Sequence, residues 1–214
     1  MSETEPNKTP SPDGLPYVFI IGFNKCGTRT LSHFFSENGF PTIHWDNGNL
    51  ARTMMANAAA GLPTLQTYDH SFRVFADLTF FNTRVSIEAN TLFPTLDRDY
   101  PRSFFIYNTR PIDNWIASRM AHRNSLGETL AERYALAVGI APSEVPAAWR
   151  AERYAFEDRI ARYFAESTRL LILDIEESNA AARIAKFLGL DMNFDAWTWL
   201  GRTHTATRAE ADSR

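Results

Sequence analysis

An unbroken apolar run, Tyr17–Gly22 (YVFIIG), passes through a short loop directly into the amphipathic stretch Thr28–Asn38. A run of that length ending at glycine reads as a strand buried on both faces. In the following stretch Leu31, Phe34 and Phe35 recur at helical spacing, and Gly39 supplies the left-handed stop. Strand, tight loop and helix in direct succession form the opening unit of a parallel α/β sheet, because parallel strands need a crossover between them. The same junction creates chemistry. The first amides of a helix have no internal partners and point outward, which makes an anion site. Gly22 and Gly27 permit tight turning and close approach of a phosphate. Lys25 adds a point charge, Arg29 a planar fork, and Thr28 and Thr30 hydroxyl donors. The chain has only three lysines, Lys8, Lys25 and Lys186, so a lysine in this loop calls for a reason.

The remaining chain continues the alternation. Strands are predicted at Phe40–His44, Arg73–Asp77, Ser103–Thr109 and Leu170–Ile175. Helices are predicted over Leu50–Ala60 and around Arg84–Leu96. Another is opened by Pro111 at its first position, with Ile112, Trp115, Ile116 and Met120 on one stripe. The middle third is helical, with Trp149, Phe156, Ile160, Tyr163 and Phe164 in phase after Pro146. The pentapeptide AERYA, at Ala131–Ala135 and Ala151–Ala155, reads as two similar helix surfaces rather than a solenoid repeat. Ser178 is expected to cap Asn179–Leu188, which Gly189 ends. The fold class is therefore a single α/β domain with a central parallel sheet flanked by helices. The Pro-, Ser- and Thr-rich residues 1–15 read as a disordered leader, 16–205 as the domain and 206–214 as a loose tail.

Composition narrows the function. A net charge of −3 excludes a strongly basic nucleic-acid binder while permitting a local basic pocket. The single cysteine, Cys26, excludes a disulfide framework and a Cys-based structural zinc site. No apolar run reaches the ~18–20 residues needed to span a bilayer. The first residues contain no secretory apolar core, so a cytoplasmic location is expected.

The loop is not that of an ATPase. A Walker A motif needs Gly-Lys-Ser/Thr, and Lys25 precedes Gly27 by two residues. A cysteine-phosphatase loop would need arginine where Ser32 stands, and the dinucleotide pattern G-x-G-x-x-G is absent. Lys25-Cys26-Gly27-Thr28-Arg29 instead resembles the 5′-phosphosulfate loop of sulfotransferases that use 3′-phosphoadenosine 5′-phosphosulfate (PAPS), especially the carbohydrate type. FFIYNTRPIDNWIASRM resembles that family's 3′-phosphate motif, in which a strand ends in Arg and a serine lies eight residues on. Arg110, Pro111 and Ser118 match. LLILDIEES and AARIAKFLGL look like the family's last strand and helix, and GRTHTATR falls where its basic closing loop lies, which makes Arg202 a candidate 3′-phosphate contact. Thr30 stands where cytosolic members carry a tryptophan, so adenine stacking there is not implied.

The resemblance implies a P-loop-like nucleotide-binding fold, PAPS as donor, the 3′,5′-bisphosphate PAP as product, no metal, and a small-molecule or carbohydrate acceptor with a hydroxyl or amine. Moving a sulfuryl group between two oxygens demands positioning and charge stabilisation. Lys25 is expected to neutralise the leaving phosphate. The loop amides, Thr28 and Arg29 are expected to hold the sulfuryl oxygens, with Cys26 as a small loop residue. For the base, Asp77 and His44 both end strands at the carboxyl edge of the sheet, where ligands of parallel sheets bind. Asp77 is preferred slightly, and Asp46 stands next. Asp113 is expected to pair with a nearby arginine, while His33, His70 and His122 are set aside. Two rivals remain: a P-loop kinase or NTPase, with Asp174 imitating a Walker B aspartate, and a non-catalytic nucleotide binder.

Overall fold

The computed structural model describes residues 14–200. Five strands, β1 (Val18–Ile20), β2 (Thr42–His44), β3 (Val74–Ala76), β6 (Phe104–Thr109) and β7 (Leu170–Asp174), form a sheet in the order β2-β3-β1-β6-β7. Every pairing in it is parallel, with Val18 opposite both Val74 and Phe104. The glycine loop therefore leaves a strand at the middle of the sheet, flanked by the strands that end near Asp77 and Arg110.

Alternation along each strand sorts the core into two layers. Val18, Ile20, Val74, Ala76 and Ile106 face α1 (Thr28–Glu37) and α7 (Ala180–Leu188) through Leu31, Phe34, Phe35 and Ile184. Phe19, Ile21, Phe75, Phe105 and Tyr107 face the opposite side. There they meet residues of α2 (Asn49–Ala59), α3 (Phe93–Asp99), α4 (Ile112–Met120), α5 (Leu130–Val138) and α6 (Val145–Tyr163). Both AERYA segments are helical, in α5 and α6. Among the described residues no helix is long and apolar enough to cross a membrane.

Only the first part of the predicted helix around Arg84–Leu96 differs: β5 (Ser86–Glu88) pairs with β4 (Thr79–Phe81) in a hairpin, and the chain turns helical from Ala89, first as a 3-10 turn to Leu92 and then as α3 from Phe93. The reason is local. The Asn82 side chain accepts from the amides of Arg84 and Val85 (both 2.8 Å), closing an Asx turn. Residues 85–88 then alternate apolar and polar, the two-residue period of a strand. Buried Arg119 of α4 holds this hairpin through Glu88 (2.9 Å) and lies over the Trp149 ring at 4.4 Å. Two caps also differ from expectation. Pro111 sits just outside α4 with extended backbone (ψ 131°) instead of at its first helical position. Asn179, not Ser178, flanks α7, and no side chain caps that helix.

Candidate active site

The loop between β1 and α1 is held by side chains far away in sequence. The Gly22 amide donates to Asn108 Oδ1 (2.9 Å), and Asn108 Nδ2 donates to the Cys26 carbonyl (2.6 Å). Trp115 Nε1 donates to the Asn24 carbonyl (3.0 Å). Glycine is obligatory at position 22, because a Cβ there would lie 2.1 Å from the Asn108 carbonyl oxygen. Gly27 adopts a left-handed conformation (φ 77°), and a Cβ on it would meet Ile175 at 2.6 Å. No side chain caps α1, so its first amides stay open toward the space above the loop.

That space is a cavity of about 630 Å³. The loop and α1 supply Lys25, Gly27, Thr28 and Arg29; β2 supplies His44 and, just beyond it, Trp45; the β3–β4 segment supplies Asp77, Thr79 and Phe81. Arg110 and Ser118 come from the end of β6 and from α4, and residues 122–125, Leu130 and Arg133 with Trp199 and Leu200 complete the wall. Burial lowers the pKa of Lys25, opposed by the charge of Asp77. Arg110 is oriented by Glu176 at 2.6 Å, and its Nε is buried with no hydrogen-bond partner.

Asp77, Thr28 and His44 form one connected group. Thr79 donates its hydroxyl to Asp77 Oδ1 (2.5 Å), and Thr28 donates to Oδ2 (3.4 Å). His44 Nε2 stands 3.1 Å from the Thr28 hydroxyl and 3.6 Å from Asp77 Oδ2. Burial lowers the pKa of His44 more than Asp77 raises it, so the ring is neutral at neutral pH. Asp77 holds a left-handed backbone (φ 56°), a strained state that folded proteins retain chiefly at functional sites.

A family model described as a sulfotransferase domain matches residues 17–196, from β1 past α7. The chain belongs to the sulfotransferase family. Comparison with curated proteins finds no match. As a member of that family it is a transferase of sulfuryl groups, built on the α/β sheet described above.

Of the residues singled out in the sequence, this sulfotransferase brings Lys25, Gly27, Thr28, Arg29, His44, Asp77, Arg110 and Ser118 to one cavity. Cys26 and Thr30 are buried and absent from its lining. Burial pushes the Cys26 thiol up to about 12, which leaves it inert as a nucleophile. The Thr30 hydroxyl instead accepts from the Leu200 amide (2.9 Å). Asp46 is turned away, accepting from the Tyr68 hydroxyl (2.7 Å), and Arg202 lies outside the described residues. Asp113 pairs with Arg150 at 2.6 Å. Asp174 accepts from the Glu176 amide (2.9 Å), a turn-closing role that gives the kinase reading no support. His122, set aside on sequence grounds, lines the cavity, and burial lowers its pKa too. Asn108 and Trp115, inside the second motif but given no role at the site from sequence, hold the loop backbone, and Arg133, outside any motif, lines the cavity.

Proposed function

We propose that this sulfotransferase takes PAPS as its donor and passes the sulfuryl group to a hydroxyl or amine of a small or sugar-like molecule. The observation that carries the reading is that Lys25 and Arg110, from the ends of adjacent strands β1 and β6, open on the same cavity as Asp77 from β3. The residues fit a donor bearing two separated phosphates. Open helix amides and Lys25 suit the 5′ end, and the Arg110 Nε, buried and unpartnered, with Ser118 suits the 3′ end. Gly27, packed where Ile175 leaves no room for a Cβ, lets the loop turn tightly into α1 beneath the cavity. A volume of about 630 Å³ lies within the ordinary range of about 300–1,000 Å³ for ligand pockets.

PAPS supplies the sulfuryl group; the chain's part is positioning and charge. Lys25 meets the charge developing on the leaving phosphate oxygen. Thr28 and the α1 amides orient the sulfuryl oxygens. Asp77 takes the acceptor proton, with Thr79 and Thr28 fixing its two oxygens. Neutral His44 beside it keeps Thr28 in register and adds no competing positive charge.

Calorimetry with PAP, AMP and ATP tests the assignment. PAP is expected to bind without added Mg²⁺ and far more tightly than AMP. Arg110→Ala should weaken PAP binding by about 2–3 kcal/mol, the range for a charge-assisted contact, and leave AMP unchanged. Equal affinity for PAP and AMP in the wild type would remove the 3′ subsite.

A further inference from the structure

The geometry points to an acceptor that carries its own anionic group beside a flat apolar body, with Arg133 as the residue that reads the anion. This rests on the donor assignment above and adds a substrate class to it. Donor and acceptor walls are separated by the sheet. Arg110 and Ser118 follow β6, whereas Asp77 follows β3, and β1 lies between the two strands. Two strand spacings put about 10 Å between those ends. The acceptor therefore approaches from the β3 side, where Asp77 stands.

That side is built by β4. Thr79 and Phe81 point to the same face of the strand, one holding Asp77 and the other lining the cavity. Arg133 of α5 donates Nη1 to the Phe81 carbonyl (3.1 Å), so the guanidinium is fixed to the strand that anchors the base. Its Nε is buried without a hydrogen-bond partner. No carboxylate among the described residues comes within ion-pair distance of it; burial lowers its pKa, opposed by the more distant charge of Glu128. A half-buried guanidinium on the wall of a ligand cavity, with one N–H left unpaired inside the wall and no carboxylate in ion-pair range, is a site for an anion. Neighbouring Arg123 donates to the Gly127 carbonyl (2.7 Å) at an exposed position, so it does not offer the same fixed fork.

The apolar body is read by Trp45 and Phe81. Trp45 lines the cavity while 44% exposed and holds a positive φ of 63°. A bulky residue in that conformation is an outlier, and such strain persists where a ligand clamp requires it. An aromatic wall with one cation at its end suits a planar hydroxy acid better than a neutral polyol.

The test uses the PAP-saturated protein and two probes of one shape, 4-hydroxyphenylacetate and its methyl ester. Calorimetry of the wild type should give at least tenfold tighter binding of the acid. Arg133→Gln should bring the two affinities together, Arg133→Lys should restore part of the difference, and PAP affinity should not change in either variant. Equal binding of acid and ester by the wild type, or binding of neither, overturns the proposal without touching the donor assignment. Loss of PAP affinity in Arg133→Gln also overturns it, by making Arg133 a nucleotide contact. Failure of the wild type to bind PAP would instead fall on the donor assignment.

Discussion

Asn108 offers a sharp test of how the loop is built. Its side chain is fully buried and satisfies two backbone groups of the loop, the Gly22 amide and the Cys26 carbonyl. Asn108→Ala leaves both without partners in a site closed to water. Each orphaned group costs about 1–3 kcal/mol, so the pair should cost about 2–6 kcal/mol. A domain of this size has ~5–15 kcal/mol in hand, so the variant should still fold. Its melting temperature should fall by about 5–15 °C. Asn108→Asp should not rescue it, because it keeps the acceptor for Gly22 but sets two oxygens about 2.6 Å apart at Cys26. Urea denaturation followed by circular dichroism gives the stability change, and calorimetry with PAP at low temperature gives the loop's competence in molecules that are folded. Both should suffer, since the loop that carries Lys25 loses its tether. An alanine variant within ~0.5 kcal/mol of wild type, binding PAP normally, would refute the clamp.

Lys25→Ala should cost about 10²–10³ in kcat while leaving the melting temperature unchanged, as expected for one preorganised donor on a half-buried loop. Asp77→Asn should lose about 10²–10⁴ in turnover with PAP affinity intact, and His44→Gln should lose less. An acidic limb in the pH–rate profile that disappears in His44→Gln, with Asp77→Asn nearly active, would transfer the role of base to His44. The depressed pKa of His44 also fixes the sign of a stability effect. The unfolded chain takes up its proton first, so wild-type stability should fall as pH drops below about 6.5 toward the folded-state value, and His44→Gln should remove that component.

The sheet and the glycine loop between β1 and α1 were readable because their signals are contiguous. Val18–Ile20 is apolar on both faces, and Lys25–Arg29 sits between a strand and a helix whose periods are unmistakable. Arg110 and Ser118 were readable for the same reason. Within that short motif, however, direction was not legible: Thr28 and Arg29 face the cavity, whereas Thr30, a further ~100° around the helix, faces Leu200. Asn108 escaped notice because its partners lie 86 and 82 residues away, and a polar residue near a strand end announces no such bond. Arg133 belongs to a stretch without a strand–loop–helix signature, and the packing of α5 against β4 brings it over the site, whereas His122 is carried there by the end of α4, two residues beyond Met120. The second strand of the hairpin after Asp77 was read as the start of a helix because the hairpin depends on the Asn82 turn, a weaker signal than the apolar residues around it.

The bond between the Leu200 amide and the Thr30 hydroxyl spans 170 residues and has a consequence for how the molecule comes into being. On the ribosome the donor loop emerges among the first described residues, and its sheet neighbours β3 and β6 follow. Among the described residues, Trp199 and Leu200 are the last lining residues to be made. A nascent chain released as far as α7 thus holds the whole parallel sheet, with Lys25, Asp77 and Arg110 in the elements that carry them, around a cavity that still lacks one wall. Closure of that wall is the contact of greatest sequence separation in the site, and contacts of that kind form late and slowly. Assembly of the sheet and closure of the cavity wall formed by Trp199 and Leu200 are thereby separable in time, divided by the synthesis of the dozen or so residues beyond α7.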